Sequence, residues 1–459
     1  MITLAYVAID KFNGLHKGDA QRLTHINFAS AVVKDGKASI EHWTNCKGVL
    51  AFLKTRGNIK VSFTVGGLGA GGFSQAVATA ESREVFAQSL VDIMNDFEFD
   101  GIDLDWEYPD DKIKYTALVS LLREKMGSKK LLTMAAGALA SCVKGLEIDK
   151  LSQLMDFFNI MTYDMMNPSI VSHHTSLYES FLSPSMYGDE AVQLYQIAGI
   201  PKEKLVIGAA FYARIYKNVD GINLPSNGDP SDYLSGGYAG TLDFIEKAGG
   251  FSYDEKAEAP YVYNVQTREF ITFDNPRSIK AKVDYVQSRG LGGIMFWEYL
   301  SDDEDSTLLK AIQEQKEYLA AMNTFVTDTP VFLCSSNNHT ETVLMEATLK
   351  SNHVPVMINR RNAGDALMVY MAMSSTQADL YVPSKLYEKA KMLLSAEVDR
   401  VEDTEPDEDF LEYAEQTNLT RRSNAIAFVF LLYVLPIIVA VAFVLWSIAR
   451  GDFWLWLFW

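Results

Sequence analysis

From the first residue to about residue 322, short apolar runs alternate with longer segments of helical period, the pattern of a parallel sheet covered by helices. Strand candidates fall at 2–8, 25–31, 60–65, 101–106, 131–136, 157–162, 205–210 and 292–296. Eight strands alternating with helices predict an α/β chain whose residues 1–322 fold as a (β/α)8 TIM barrel. Between the seventh and eighth candidates, residues 217–277 are rich in Gly, Tyr and Asp. They are long enough for a small α+β insertion beside the barrel mouth.

After residue 322 the pattern restarts. Apolar or helical segments at 329–334, 341–351, 354–358, 367–373 and 384–394 predict a small C-terminal α/β module over residues 328–395. It resembles a small domain of prokaryotic signal-transducing proteins. Residues 396–424 are dominated by Asp and Glu between 397 and 415 and read as a solvated acidic linker. Residues 425–448 contain no charged side chain and exceed the roughly 20 residues that cross a bilayer as a helix. One transmembrane helix is therefore expected, with Pro436 tolerable inside it and Trp446, Trp454, Trp456 and Trp459 suited to the interface. Arg421 and Arg422 precede this stretch and Arg450 follows it. The positive-inside tendency then predicts a single-pass C-terminal membrane anchor with a cytoplasmic catalytic domain. The N-terminus shows no basic n-region followed by an apolar run and a cleavage site, so no signal peptide is expected.

Composition narrows the class of partner. A formal charge of −18 argues against nucleic acid, which needs a basic surface. A hydrophobic content of 48% excludes disorder for most of the chain. A neutral ligand such as a sugar fits better. Cys46, Cys142 and Cys334 are far apart and without CxxC spacing, which points to free thiols and not to a zinc site.

The most informative segment is Phe99-Asp100-Gly101-Ile102-Asp103-Leu104-Asp105-Trp106-Glu107-Tyr108-Pro109. Side chains alternate faces along a strand, so Asp103, Asp105 and Glu107 share one face while Ile102, Leu104 and Trp106 share the other. In a barrel the apolar set belongs under the helices and the acidic set inside, rising towards the C-terminal rim where barrel enzymes keep their sites. Three carboxyls so close cannot all stay ionised, because like charges raise one or more pKa values. A carboxyl that keeps its proton near neutral pH is the general acid that glycosidic cleavage requires, and Glu107 is longest and nearest the rim. A calcium or magnesium site is the alternative for such an acidic run, but calcium loops draw ligands from glycine-containing turns and not from a flat strand. No metal and no cofactor are expected. His173 and His174 form a pair that reads as a solvated loop, with no third ligand at a useful spacing.

Residues 100–109 match in full the DGxDxDWEYP signature of glycoside hydrolase family 18, the chitinases and related endo-β-N-acetylglucosaminidases, and the chain resembles that family over about 320 residues. Further carriers are Ala5-Tyr6, His25-Ile26-Asn27-Phe28-Ala29, Thr64-Val65-Gly66-Gly67, Met161-Thr162-Tyr163-Asp164, Phe211-Tyr212-Ala213-Arg214 and Gly292-Gly293-Ile294-Met295-Phe296-Trp297. Two positions depart from the family: Thr64 replaces a serine, and Ala213 adds a methyl where the family has glycine. The resemblance implies retaining, substrate-assisted hydrolysis of β-1,4-linked N-acetylglucosamine chains, outside the usual two-carboxylate scheme. It assigns Glu107 as acid and base, with Asp105, Asp103 and Tyr163 completing the catalytic set. It places Tyr6, Phe28, Thr64, Gly67, Tyr108, Met161, Asp164, Tyr212, Arg214 and Trp297 around the substrate. Tyr6 and Thr64 would hold the inner carboxylate, and Trp297 would floor the sugar. Two other readings share these residues: an endo-β-N-acetylglucosaminidase acting on cell-wall or glycoprotein glycans, and a non-catalytic carbohydrate-binding barrel. The terminal glutamate favours an enzyme.

Overall fold

The computed structural model describes residues 1–402 apart from 44–45, 56, 167–169, 223–232, 328, 337–338, 353 and 361–377. The chain divides into two compact units, Met1–Lys316 and Glu317–Trp459.

In the first unit, eight parallel strands close on themselves. They are Ile2–Ala8, His25–Lys34, Lys60–Gly66, Gly101–Asp105, Leu131–Gly137, Phe157–Met161, Leu205–Ala210 and Gly293–Trp297. Each pairs with the next, and the first pairs with both the eighth and the second. The expected barrel is therefore present. The second strand runs beyond the expected residue 31 and turns back into Lys37–Ser39, which pairs with it antiparallel.

Local chemistry explains the helix starts near the site. Asp111 caps Lys112–Met126 by accepting the N–H groups of Ile113 and Lys114. Asn275 caps Pro276–Arg289 in a capping box with Ser278, and Gly290 closes the helix in the left-handed region.

The barrel's two surfaces differ in kind. Outside, Ile102 and Leu104 are buried, and Trp106 stacks on Phe73 with ring centroids 5.0 Å apart. Inside, Leu4, Tyr6, Ala29, Phe157, Val206 and Met295 form the core, while Asn27, Ser62, Thr64, Asp103, Thr133 and Asn159 add a buried polar layer. Such a layer is tolerable only where its members bond one another.

The insertion begins at Arg214, earlier than expected. Its antiparallel sheet runs in the order Ser252–Asp254, Ala259–Asn264, Glu269–Thr272, Arg214–Tyr216, with the helix Gly237–Ala248 against it. Asn264 Oδ1 accepts the N–H groups of Gln266 and Thr267, a side-chain turn that sets the hairpin. Ala213, the added methyl, is fully buried in the insertion's core with Ile215, Val262, Ile271 and Phe273, so its methyl is accommodated by apolar packing.

In the second unit, Pro330–Ser336, Ala378–Pro383 and Met357–Arg360 form an antiparallel sheet with Ala378–Pro383 at its centre. The helices His339–Ser351 and Tyr387–Glu402 accompany it, with Leu349, Val354, Leu380, Val382 and Ala390 as its core. The central strand was not among the expected segments. The segment at 367–373 and the expected membrane helix at 425–448 lie outside the described residues. Among the described residues no helix is long and apolar enough to cross a membrane.

Candidate active site

The fourth strand carries the acidic ladder as its alternation requires. Asp103 is fully buried and receives four donors: Tyr6 Oη at 2.9 Å and Thr64 Oγ1 at 3.1 Å on one oxygen, Thr133 Oγ1 at 2.5 Å and Asn159 Nδ2 at 3.2 Å on the other. The first, third, fifth and sixth strands each supply one donor. Burial raises the Asp103 pKa, and these four bonds oppose the rise.

Asp105 lies one step nearer the rim and is also buried. Its Oδ1 has no hydrogen-bond partner among the described residues, which marks it as an acceptor or donor awaiting a ligand. Its pKa stands well above the ordinary carboxylate value, first through burial, then through the charges of Glu107 and Asp103. Glu107 is half-buried, and its pKa is raised by burial first and by Asp164 second. Mutual repulsion, the sequence argument for a retained proton, therefore contributes less than desolvation.

Two glycines make room for this arrangement. Gly66 sits at φ +113° with Asp105 O only 2.1 Å from where a Cβ would stand, so only glycine fits there. A Cβ on Gly208 would lie 2.7 Å from Tyr163 Cε1; its absence seats the Tyr163 ring over the barrel. The Tyr163 hydroxyl meets Met295 Sδ at 3.9 Å, a weak acceptor that leaves its donor largely unused.

Above the ladder opens a cleft of about 340 Å³. Every expected site residue lines it except Asp103, Thr64 and Phe28. Asp103 and Thr64 lie beneath, bonded to each other. Phe28 does not belong to the site: it is fully buried on the outer face of its strand, against Phe12 and Phe99. The register explains this, since Asn27 stands beside the inward Tyr6 and so turns Phe28 outward. Trp297 forms one wall, tilted against Tyr6 at 5.7 Å between ring centroids.

The insertion supplies a further wall. Arg214 Nε donates to Asp164 Oδ1 at 2.7 Å, and its guanidinium lies 3.8 Å from the centre of the Tyr233 ring. Burial pushes the Asp164 carboxyl up, but His174 and Arg214 hold it well below the usual range. Tyr233, Leu68, Leu139, Met165, Met166 and Met186 also line the cleft and were not expected.

His173 and His174 correct the reading of a solvated loop. Both are fully buried. His173 Nε2 meets Asp254 Oδ2 at 3.3 Å, and His174 Nδ1 meets Asp164 Oδ1 at 3.4 Å. A wider hollow of about 890 Å³ lies elsewhere, against the Lys37–Ser39 hairpin, and is lined by Lys34, Glu41 and Trp43 among others. It brings together no catalytic constellation, so the smaller cleft is the site. All three cysteines are free thiols.

Residues 3–303 match the family described as Glycosyl hydrolases family 18. Chitinase A1 of Niallia circulans is 37% identical over 298 residues, which cover 56% of this chain and 42% of the relative. Chitinase 1 of Aphanocladium album is 34% identical over 292 residues, covering 59% of this chain and 68% of the relative. This chain thus spans under half the length of the first and about two thirds of the second. Among solved structures, a glycoside hydrolase family 18 N-acetylglucosaminidase from Paenibacillus barengoltzii is 35% identical with a TM-score of 0.64, covering 68% of this chain and 99% of that one. The closed parallel barrel, the acidic ladder of its fourth strand and these matches together make the chain a member of glycosyl hydrolase family 18.

Proposed function

We propose that the protein hydrolyses β-1,4-linked N-acetylglucosamine chains, chitin or its oligosaccharides, with retention and with the substrate's own acetamide as nucleophile. The relatives named chitinase and N-acetylglucosaminidase support this substrate class. The observation that carries the mechanism is the buried, unpartnered Asp105 Oδ1 beside Glu107 and Tyr163 in one cleft walled by Trp297.

Glu107 keeps its proton above the usual range and delivers it to the glycosidic oxygen. The acetamide carbonyl attacks the anomeric carbon as that bond breaks, giving an oxazolinium. Water then opens the ring, with Glu107 taking the proton back. Asp105 bonds the acetamide N–H and, as positive charge grows on the ring, its ionised form becomes favoured there. Tyr163 donates to the acetamide oxygen. Asp103, fixed by its four donors, keeps the field beneath Asp105 constant.

The test is incubation with defined N-acetylglucosamine oligomers and identification of the products. Tight binding without cleavage would instead favour a carbohydrate-binding barrel, and release of intact glycans from glycoprotein or cell wall would favour an endoglycosidase. We further propose that residues 328–395 form a separate module, that 396–424 link it onward, and that 425–448 anchor the protein with the barrel on the cytoplasmic side. Digestion of the barrel by protease added outside intact cells would overturn that topology.

A further inference from the structure

Residues 172–176, Ser-His-His-Thr-Ser, are all buried although all are polar. A run of this kind costs stability unless its groups are held, and this one is pinned from several sides. The N–H of His174 donates to Thr272 Oγ1 at 3.2 Å, and its carbonyl accepts the N–H of Met165 at 3.1 Å. Thr175 joins the buried pair of Lys282 and Asp274, accepting from Lys282 Nζ at 2.6 Å and donating to Asp274 Oδ2 at 2.9 Å. The His174 ring, fixed by this backbone, packs 5.3 Å from the Tyr212 ring; its Nδ1 accepts the backbone N–H of Asp164 at 3.5 Å and lies 3.4 Å from Asp164 Oδ1. Its Nε2 is buried with no partner among the described residues, so the contact with Asp164 is what orients the imidazole.

Asp164 itself stands at φ +57°, a conformation rare for residues with a side chain. Its carboxylate is gripped by His174 on one side and Arg214 on the other and faces the cleft that holds Glu107. Glu107 shares that cleft with Asp105 at the end of the fourth strand, Tyr108 beside it, Tyr163 just past the sixth strand and Tyr233 of the insertion. His174 is approached by Asp164, Arg214, Asp274 and Tyr212.

We propose that His174 is a positioning residue for the general acid: it holds the Asp164 carboxylate where its charge keeps the proton on Glu107, and so sets the upper pH limit of hydrolysis. This rests on the function proposed above. Without the imidazole, Asp164 turns into a two-pronged pairing with Arg214 and its field on Glu107 weakens.

The experiment compares the parent with His174→Phe, His174→Gln and Asp164→Asn, using an N-acetylglucosamine oligomer with a chromogenic leaving group. Thermal unfolding confirms that each variant is folded. The expected result is that Asp164→Asn and His174→Phe both move the alkaline limb of kcat downward, by a few tenths to about one pH unit. His174→Gln, which keeps a side chain able to bond both the N–H and the carboxylate of Asp164, should recover most of the parent limb. The fall in kcat for His174→Phe should stay well short of the roughly 10²–10⁴ that a general acid contributes. A folded His174→Phe whose limb overlays the parent while that of Asp164→Asn is displaced would overturn the proposal, as would an unmoved limb for Asp164→Asn. Titration of the Glu107 carboxyl by ¹³C NMR in the free protein reads the same coupling without turnover. It decides the role of His174 even if no substrate is cleaved, and His174→Ala, which removes the imidazole without added bulk, takes the place of a His174→Phe that fails to fold. A Glu107 midpoint identical in all folded variants would then refute it.

Discussion

The two faces of the fourth strand contrast sharply. Ile102, Leu104 and Trp106 face out, buried against helices and rings. Asp103, Asp105 and Glu107 face in, and burial raises the pKa of all three. The outer face stabilises the fold through apolar area, and the inner face costs stability to keep protons where the chemistry uses them. Six residues of backbone, Ile102–Glu107, thus serve opposite ends, the strand Gly101–Asp105 and the two residues that continue it, and each face can be perturbed without the other.

The largest effect should come from the inner face. Glu107→Gln is expected to abolish measurable turnover with the fold retained, read as kcat beside a thermal melt; comparable rates would remove Glu107 from the mechanism. Asp105→Asn should lower kcat by roughly 10²–10³, the size of one preorganised electrostatic group. On the outer face, Leu104→Ala should cost about 2–5 kcal/mol of stability, measured by denaturant unfolding, while kcat per folded molecule stays near the parent's. Loss of activity in proportion to Asp105→Asn would mean the faces are not separable. Tyr163→Phe, which removes one donor and little packing, should cost about tenfold in kcat, in line with a hydrogen bond of roughly 0.5–1.5 kcal/mol.

The smallest effect sharpens the comparison through pH. A carboxyl whose folded pKa is raised contributes stability below its unfolded pKa and loses it as pH rises through the folded one. Asp105→Asn removes such a group. The variant should match the parent in acid and become the more stable of the two as pH rises past the ordinary carboxylate range. Melts across that range would show the curves diverging upward; divergence in the opposite sense would contradict the raised pKa.

How much of this was legible beforehand depended on the range of the interaction. The ladder was readable because a period of two is local, and Tyr163 and Trp297 follow from their places at the ends of apolar runs. Phe28 was misassigned because its facing depends on register with Tyr6 on another strand. His173 and His174 carry no periodic signal, and only the insertion folding over them makes them interior. Met186 and Tyr233 reach the cleft from segments far from the signature, where nothing in the local sequence points inward.

The sequence alone determined the alternation of strands and helices, the order of acids on one strand and the family they signal, because those follow from side-chain spacing along a continuous backbone. Only the tertiary structure decided which donors converge on Asp103, which oxygen of Asp105 is left for a ligand, and how His174 and Arg214 share Asp164. Those contacts join residues as far apart as Tyr6 and Asp103, or Asp164 and Arg214, and closure of the barrel brings them into one low-dielectric interior where their charges act on each other.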